Sequence, residues 1–269
     1  MKYMLFEYPK IFAMSQADSA SVSLETEVKE EAVADRKPMR LPANVGTLNQ
    51  DEAPFSDYLI DDWKFLEHVD QRSPCSKCKK SRKYFCYTCY VPVVELSGKI
   101  PKLKLPIKID ILKHAREIDG KSTAAHAALL APDDVSIYTY PCIPDYDCSS
   151  GKVVLVFPGK KSTSLKDHID SLIQKNQSQD GTPDAKKQRT SDAVAIERAV
   201  FIDSTWNQSR GIYRDARLQG LPCIVLQERV SQFWRHQEGS PRWYLATVEA
   251  VHQLLVELET SLDPSSPCH

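Results

Sequence analysis

The chain has 269 residues, 42% of them hydrophobic and 26% charged, which is enough to bury one large α/β core with room for a small second module. No stretch approaches the ~20 apolar residues of a membrane span, and Met1-Lys2-Tyr3-Met4-Leu5-Phe6-Glu7 lacks the apolar core and cleavage site of a secretory signal, so no membrane partner and no secretion are expected. The net charge of −1 conceals a segregation: residues 1–70 carry 7 Lys and Arg against 14 Asp and Glu, whereas residues 71–121 carry 13 against 4.

Residues 1–50 are rich in Ala, Ser and Glu without sustained periodicity and read as a disordered tail. From Tyr58, Leu59 and Ile60 through Trp63, Phe65, Leu66 and Val69, apolar residues return at helical spacing, which predicts an amphipathic docking helix within 51–72.

The segment 73–95 holds four of the eight cysteines, as Cys75-x2-Cys78-x7-Cys86-x2-Cys89. Each CxxC turns tightly enough to aim two thiolates at one point, and two such knuckles complete the tetrahedron that a structural Zn²⁺ prefers. The competing reading, two turns with buried thiols, fits poorly beside Lys77, Lys79, Lys80, Arg82 and Lys83, which make the segment too polar for a core. Those cations favour thiolates. With Tyr84, Tyr87 and Tyr90 interleaved, Lys79, Lys80, Arg82 and Lys83 also suit phosphate contact and base stacking, so a basic solvated face and an RNA footprint are both open. Cys142, Cys148, Cys223 and Cys268 have no metal spacing.

Beyond the module, Ile107 to Leu112 reads as a strand, and Ser122-Thr123 as the opening of an Ala-rich helix stopped by Pro132. Further strands are expected at Ser136–Tyr140, Val153–Phe157, Ala199–Ile202 and Cys223–Leu226. Near-continuous apolar strands of this kind indicate a parallel sheet covered on both faces. Asn176 to Ser191 is a polar, exposed insert whose cluster Lys186-Lys187-Gln188-Arg189 reads first as a solvated loop and second as a nuclear-import signal. A last helix starts at Thr247, with Val248, Val251, Leu255, Leu258 and Leu262 as its apolar stripe.

Asp203-Ser204-Thr205-Trp206 follows the buried strand Ala199–Ile202, at the edge where open α/β sheets gather their ligands. An acid, two hydroxyls and an indole supply a base, hydrogen-bond donors and a stacking surface. The plainer alternative makes Asp203 and Ser204 caps of the next helix and Trp206 a core anchor.

The chain resembles the DTW-domain family, and within it the eukaryotic type-one members, over about residues 73–260. The likeness rests on an ordered series: the paired CxxC module, His114-x2-Glu117 followed by Ser122-Thr123, Phe157-Pro158-Gly159, Asp203-x-Thr205-Trp206, Phe233-Trp234-Arg235-His236-Gln237 and Thr247-Val248-Glu249-Ala250. Ala115 departs from a usual proline and Ala246 from a usual serine, and the chain ends at His269, earlier than the family leads one to expect.

The resemblance implies an α/β, SPOUT-like parallel sheet with a C-terminal knot, preceded by a small zinc-ribbon-like module. Its catalytic DTW domain would span 96–262, interrupted by the insert at 176–191, with a tail at 263–269. It implies transfer of the 3-amino-3-carboxypropyl group of S-adenosylmethionine to N3 of a tRNA uridine, with the D-loop as target and methylthioadenosine as the released thioether. The alternatives are methyl transfer from the same donor, or a non-catalytic zinc-ribbon RNA-binding protein. Residence in the nucleus, and secondarily in the cytoplasm, is the expected localisation. The implied catalytic set is Asp203, Thr205 and Trp206. Phe157, Pro158, Gly159, Asp203, Ser204, Arg235, Thr247 and Glu249 would hold the donor, and His114 would join the four cations as an RNA contact. Asp203 has two candidate roles, base for the uracil N3 proton or orienter of a donor hydroxyl or ammonium. Capping alone also explains Thr247 and Glu249.

Overall fold

The computed structural model describes residues 62–179, 196–233 and 243–262. The tail expected over 1–50, residues 51–61 of the docking helix, residues 180–191 of the insert, Trp234 to Gln237 and the tail at 263–269 lie outside the described residues. Within 62–72 the backbone forms a 3-10 turn, Lys64–His68, rather than an α-helix, with Leu66 buried.

The cysteine segment consists of two small hairpins. β1 (Ser73–Pro74) pairs antiparallel with β2 (Ser81–Arg82), and β3 (Phe85–Cys86) with β4 (Val91–Pro92). The residue after each second cysteine is left-handed, Lys79 at φ 62° and Tyr90 at φ 54°. That conformation turns the Lys79 N–H back to the Cys75 carbonyl at 3.0 Å and the Tyr90 N–H to the Cys86 carbonyl at 2.7 Å. Both knuckles therefore close in the same way.

The main sheet has six strands, all parallel: β5 (Lys108–Lys113), β6 (Val135–Thr139), β7 (Val153–Val156), β8 (Thr163–Ser164), β9 (Arg198–Asp203) and β10 (Cys223–Val225), in the spatial order β6-β5-β9-β7-β10-β8. The helices are α1 (Ala124–Leu130), α2 (Leu165–Gln179), α3 (Trp206–Tyr213) and α4 (Thr247–Leu262), and α4 packs against both α1 and α2. Because α2 continues to Gln179, the first residues of the expected insert belong to a helix.

Strand alternation divides the core between the two faces. Leu112, Leu155 and Val200 point to one face, where they pack with Ile212 of α3 and with Leu218 and Leu221. Ile111, Val154, Ala199 and Phe201, all buried, point to the other. Coverage on both sides explains why these strands read as near-continuous apolar runs. The buried Asp110 carboxylate is held by Arg198 at 2.7 Å and the Tyr146 hydroxyl at 3.1 Å. Burial still pushes its carboxyl above the usual range, against the pull of those two partners.

Candidate active site

Parallel pairing puts the C-terminal ends of β5, β7, β9 and β10 along one edge, and the loops leaving them carry most of the residues singled out in the sequence. At its centre is Asp203, last residue of β9, in register with Lys113 of β5 and almost fully buried. One carboxylate oxygen accepts the Ser122 hydroxyl and the other the Thr247 hydroxyl, each at 2.5 Å. The carbonyl of Asp203 accepts the His114 N–H at 3.1 Å. A carboxylate has about four lone-pair sites, so two hydroxyl donors leave capacity for a ligand.

This arrangement corrects two readings of the sequence. Ser122 and Thr123 do not cap α1 through their side chains. Ser122 instead binds Asp203, and the Thr123 hydroxyl accepts the Val248 N–H at 3.2 Å, so the pair joins three separate segments at one point. The cap of α3 is Thr205 rather than Asp203 or Ser204: Thr205 and Gln208 form a reciprocal capping box. Thr205 is exposed, and Ser204 turns its hydroxyl to the Thr205 carbonyl at 3.3 Å. Trp206 opens α3, and its side chain lies outside the described residues.

The connection from β7 to β8, residues 157–162, is held on itself. The Phe157 carbonyl accepts the Gly159 N–H at 2.8 Å and the Ser162 hydroxyl at 2.7 Å, while the Phe157 ring stacks on Tyr213 with centroids 4.4 Å apart. Pro158 is exposed beside them. A Cβ on Gly159 would stand 2.9 Å from the Tyr213 hydroxyl, so only glycine lets this loop lie so close to α3. The Cys223 thiol on β10 donates to the same Phe157 carbonyl at 3.1 Å.

Glu249, in the first turn of α4, accepts four donors: the N–H groups of Ala246, Gln232 and Phe233 at 2.8, 2.8 and 3.0 Å, and the Ser231 hydroxyl at 2.7 Å. Its carboxylate thus caps the helix and pins the strand of loop that leads to Trp234 and Arg235. Arg235 itself is outside the described residues. His114 takes the Arg116 N–H on Nδ1 at 3.1 Å, and the Glu117 N–H reaches the His114 carbonyl at 2.9 Å.

The four cysteine sulfurs lie within 4.8 Å of one another, with Cys78 and Cys86 at 3.6 Å. A tetrahedral ion with metal–sulfur bonds of ~2.3 Å needs sulfurs about 3.8 Å apart, so the cluster can hold a metal such as zinc. Its surroundings favour the thiolates of Cys86 and Cys75. Burial opposes the Cys86 thiolate, but the N–H groups of Thr88 and Cys89 and the Arg82 guanidinium outweigh it and bring the thiol down to about 6. Cys75 is lowered too, chiefly by the Cys78 N–H. Cys89 is pushed up to about 12 by burial and by its sulfur neighbours.

The cations expected on an RNA face are not equivalent. Lys79 and Lys80 are exposed, and Lys83 lies over the Tyr84 ring at 5.4 Å. Arg82 is turned inward, 3.9 Å over the Tyr87 ring and bonded to the Thr88 hydroxyl at 3.4 Å. Its place is explained by the cysteines it stabilises.

Two residues of the edge stand outside the motifs read from the sequence, Asp119 and Ser162. Asp119 is ion-paired to Lys113 and accepts the Thr88 hydroxyl at 3.0 Å. Burial would raise its carboxyl, but Lys113, Thr88 and the charge of Lys80 hold it below the usual range. Asp119's partner Thr88 lies 31 positions away, whereas Ser162 bonds Phe157 and Gly159 within its own loop and also lies 3.3 Å from the Cys223 sulfur, 61 positions on.

The family model of the DTW domain matches residues 83–266, and the chain belongs to the DTW-domain family. It is similar to proteins named tRNA-uridine aminocarboxypropyltransferase 1. Identity to that of Xenopus laevis is 44% over 212 residues, covering 71% of this chain and 72% of the relative. Identity to the human protein is 44% and to the mouse protein 42%, each over 233 residues, covering 78% of this chain and 77% of the relative. No solved structure matches the chain. Among the described residues no helix is long and apolar enough to cross a membrane.

Proposed function

We propose that this protein is a tRNA-uridine aminocarboxypropyltransferase that moves the 3-amino-3-carboxypropyl group of S-adenosylmethionine to N3 of a uridine. The observation that carries the reading is the Asp203 carboxylate, set at the end of β9 by two hydroxyls from α1's approach and α4's start, in a chain with 44% identity to proteins of that name. In the reaction the bond from sulfur to the γ-carbon of the donor's amino acid chain breaks and a bond from that carbon to uracil N3 forms. The N3 proton leaves to a base, and the sulfonium becomes the neutral thioether of methylthioadenosine. Which carbon is attacked depends on alignment. Asp203 supplies the base or fixes the donor's polar groups, and the loop 157–162, the start of α4 and the Glu249-pinned loop supply the alignment.

The cysteine cluster would hold a structural Zn²⁺, and Lys79 and Lys80 would meet tRNA phosphates. Four thiolates around one Zn²⁺ leave a charge of −2, which Arg82 and the neighbouring lysines offset. The SPOUT-like knot belongs to the same reading. β10 lies between β7 and β8, so the connection 157–162 that joins those two strands has to cross the segment containing β10, and its Phe157 carbonyl is bonded to Cys223 there. Nuclear residence, with the cytoplasm second, rests on the basic cluster Lys186-Lys187-Gln188-Arg189.

The experiment is incubation of the protein with S-adenosylmethionine and unmodified tRNA, followed by mass spectrometry of the nucleosides and of the thioether. Aminocarboxypropyl-uridine with methylthioadenosine supports the reading. Methylated uridine with S-adenosylhomocysteine would replace it with methyl transfer, and unmodified tRNA that nevertheless stays bound would leave an RNA-binding protein.

A further inference from the structure

The loop from His114 to Ser122 touches Asp203 at both ends and the cysteine module in its middle. Its first residue donates an N–H to the Asp203 carbonyl, and its last donates a hydroxyl to the Asp203 carboxylate. Between them, Asp119 accepts the hydroxyl of Thr88, which lies inside the second knuckle between Cys86 and Cys89. The neighbouring Gly120 sits against the Tyr87 ring, where an added Cβ would stand 3.6 Å away. The other Asp119 oxygen takes the nearly buried Lys113 ammonium, one strand across from Asp203.

A buried ammonium requires a carboxylate partner. Asp119 meets that need, which leaves Asp203 to the hydroxyls of Ser122 and Thr247. If Asp119 were displaced, Asp203 would be the acid in register with Lys113, and pairing there would draw Asp203 out of its hydroxyl cradle. Asp119 is held from one side by Lys113 and from the other by Thr88, and Thr88 is set by Arg82 and by its place between Cys86 and Cys89.

We propose that Asp119 is a positioning residue that links the two sites, so that metal binding at the four cysteines and S-adenosylmethionine binding at the sheet edge strengthen each other. The proposal rests on the functional reading above. Coupling of this kind is reciprocal: whatever factor the metal adds to donor affinity, the donor adds to metal affinity.

The test measures both sides on the full chain. Metal-loaded protein is titrated with S-adenosylmethionine by calorimetry, and its zinc is competed with a chromogenic chelator in the presence and absence of saturating S-adenosylmethionine. The expected result is a rise in zinc affinity of roughly 5- to 150-fold on donor binding, the usual span of such couplings. Thr88→Val should keep its zinc and lose that rise, Thr88→Ser should recover it, and Asp119→Asn should behave like Thr88→Val. Because Thr88 is exposed, its variants carry the test if Asp119→Asn does not fold. Donor binding that leaves zinc affinity unchanged, or a coupling that survives in Thr88→Val, overturns the inference alone. Failure of the zinc-loaded wild type to bind S-adenosylmethionine overturns the functional reading and the inference with it.

Discussion

The Ser122 hydroxyl and the Asp203 carboxylate meet at 2.5 Å across 81 positions of sequence, and Thr247 reaches the second carboxylate oxygen from 44 positions on the other side. Strand β9 carries the acid, the approach to α1 and the first turn of α4 carry the donors, and no one of the three segments forms the site by itself. Short hydroxyl bonds to an ionised acceptor are among the stronger hydrogen bonds in proteins. They hold the carboxylate in place before any ligand arrives.

Asp203→Asn keeps the shape of the side chain but cannot accept a proton from uracil. As a base variant it should bind S-adenosylmethionine nearly as the wild type does while losing roughly 10²–10⁴-fold in rate, with partial recovery as pH rises and hydroxide ionises the uracil. If Asp203 orients the donor, calorimetry should show affinity falling with the rate, and higher pH should restore nothing. Wild-type turnover at neutral pH would exclude both roles.

Gly159→Ala tests the connection over β10. Its methyl group would meet the Tyr213 hydroxyl, and Tyr213 is held in place by stacking on Phe157. The strain should cost about 1–3 kcal/mol and weaken donor binding. Tyr213→Phe removes the atom that clashes, so the double variant should recover much of the loss. Equal losses in the single and double variants would mean that the clash is not the cause.

His126 of α1 is fully buried beside the Phe85 ring of the cysteine module, with centroids 5.2 Å apart, and burial brings its imidazole down to about 4. In the unfolded chain it would titrate near 6.5. The unfolded state therefore binds more protons between those values, and stability contributed by neutral His126 is intact above pH 6.5 and lost as pH falls towards 4. The loss should approach about 3 kcal/mol by the lower limit. Denaturant midpoints measured from pH 7 to 4.5 should fall less steeply in His126→Leu; identical slopes would remove His126 as the cause.

Five strands of the main sheet were legible as largely apolar, β-branched runs because both faces are covered, whereas β8, the polar pair Thr163–Ser164, was not; the knuckles were legible because two CxxC pairs carry the spacing that metal ligation requires. Strand order was not, since the placement of β10 between β7 and β8 depends on pairing between segments distant in sequence. Among the described side chains of helix α2, Leu165, Ile169 and Leu172 are the buried apolar positions, too few to stand out from its polar residues. A local sign was nevertheless there: Ser164 and Asp167 are spaced as a capping pair, the Ser164 hydroxyl accepting the Asp167 N–H and donating to its carboxylate, while Thr205 and Gln208 form the reciprocal box at α3. The pairing of Ser122 with Asp203 had no such sign. The family resemblance brought both residues into one series of motifs, yet the hydroxyl read locally as a helix opener.

Lys79 and Lys80 are exposed on the cysteine module within a block of 13 basic against 4 acidic residues. Log affinity for tRNA should fall linearly with log salt, and neutralising both lysines should reduce the slope by about one for each phosphate that is no longer paired with a cation. Filter binding across a salt series measures this. A slope near zero in the wild type would make the block a solvated face.

The central claim, that the aminocarboxypropyl group rather than the methyl group moves, is tested most directly by following two labels. S-adenosylmethionine labelled at the carboxyl carbon and, separately, at the methyl carbon is incubated with the protein and unmodified tRNA, and the label is traced in the RNA and the released thioether. The account predicts carboxyl label in the tRNA and methyl label in methylthioadenosine. Methyl label in the tRNA, with the carboxyl label left in S-adenosylhomocysteine, would contradict it.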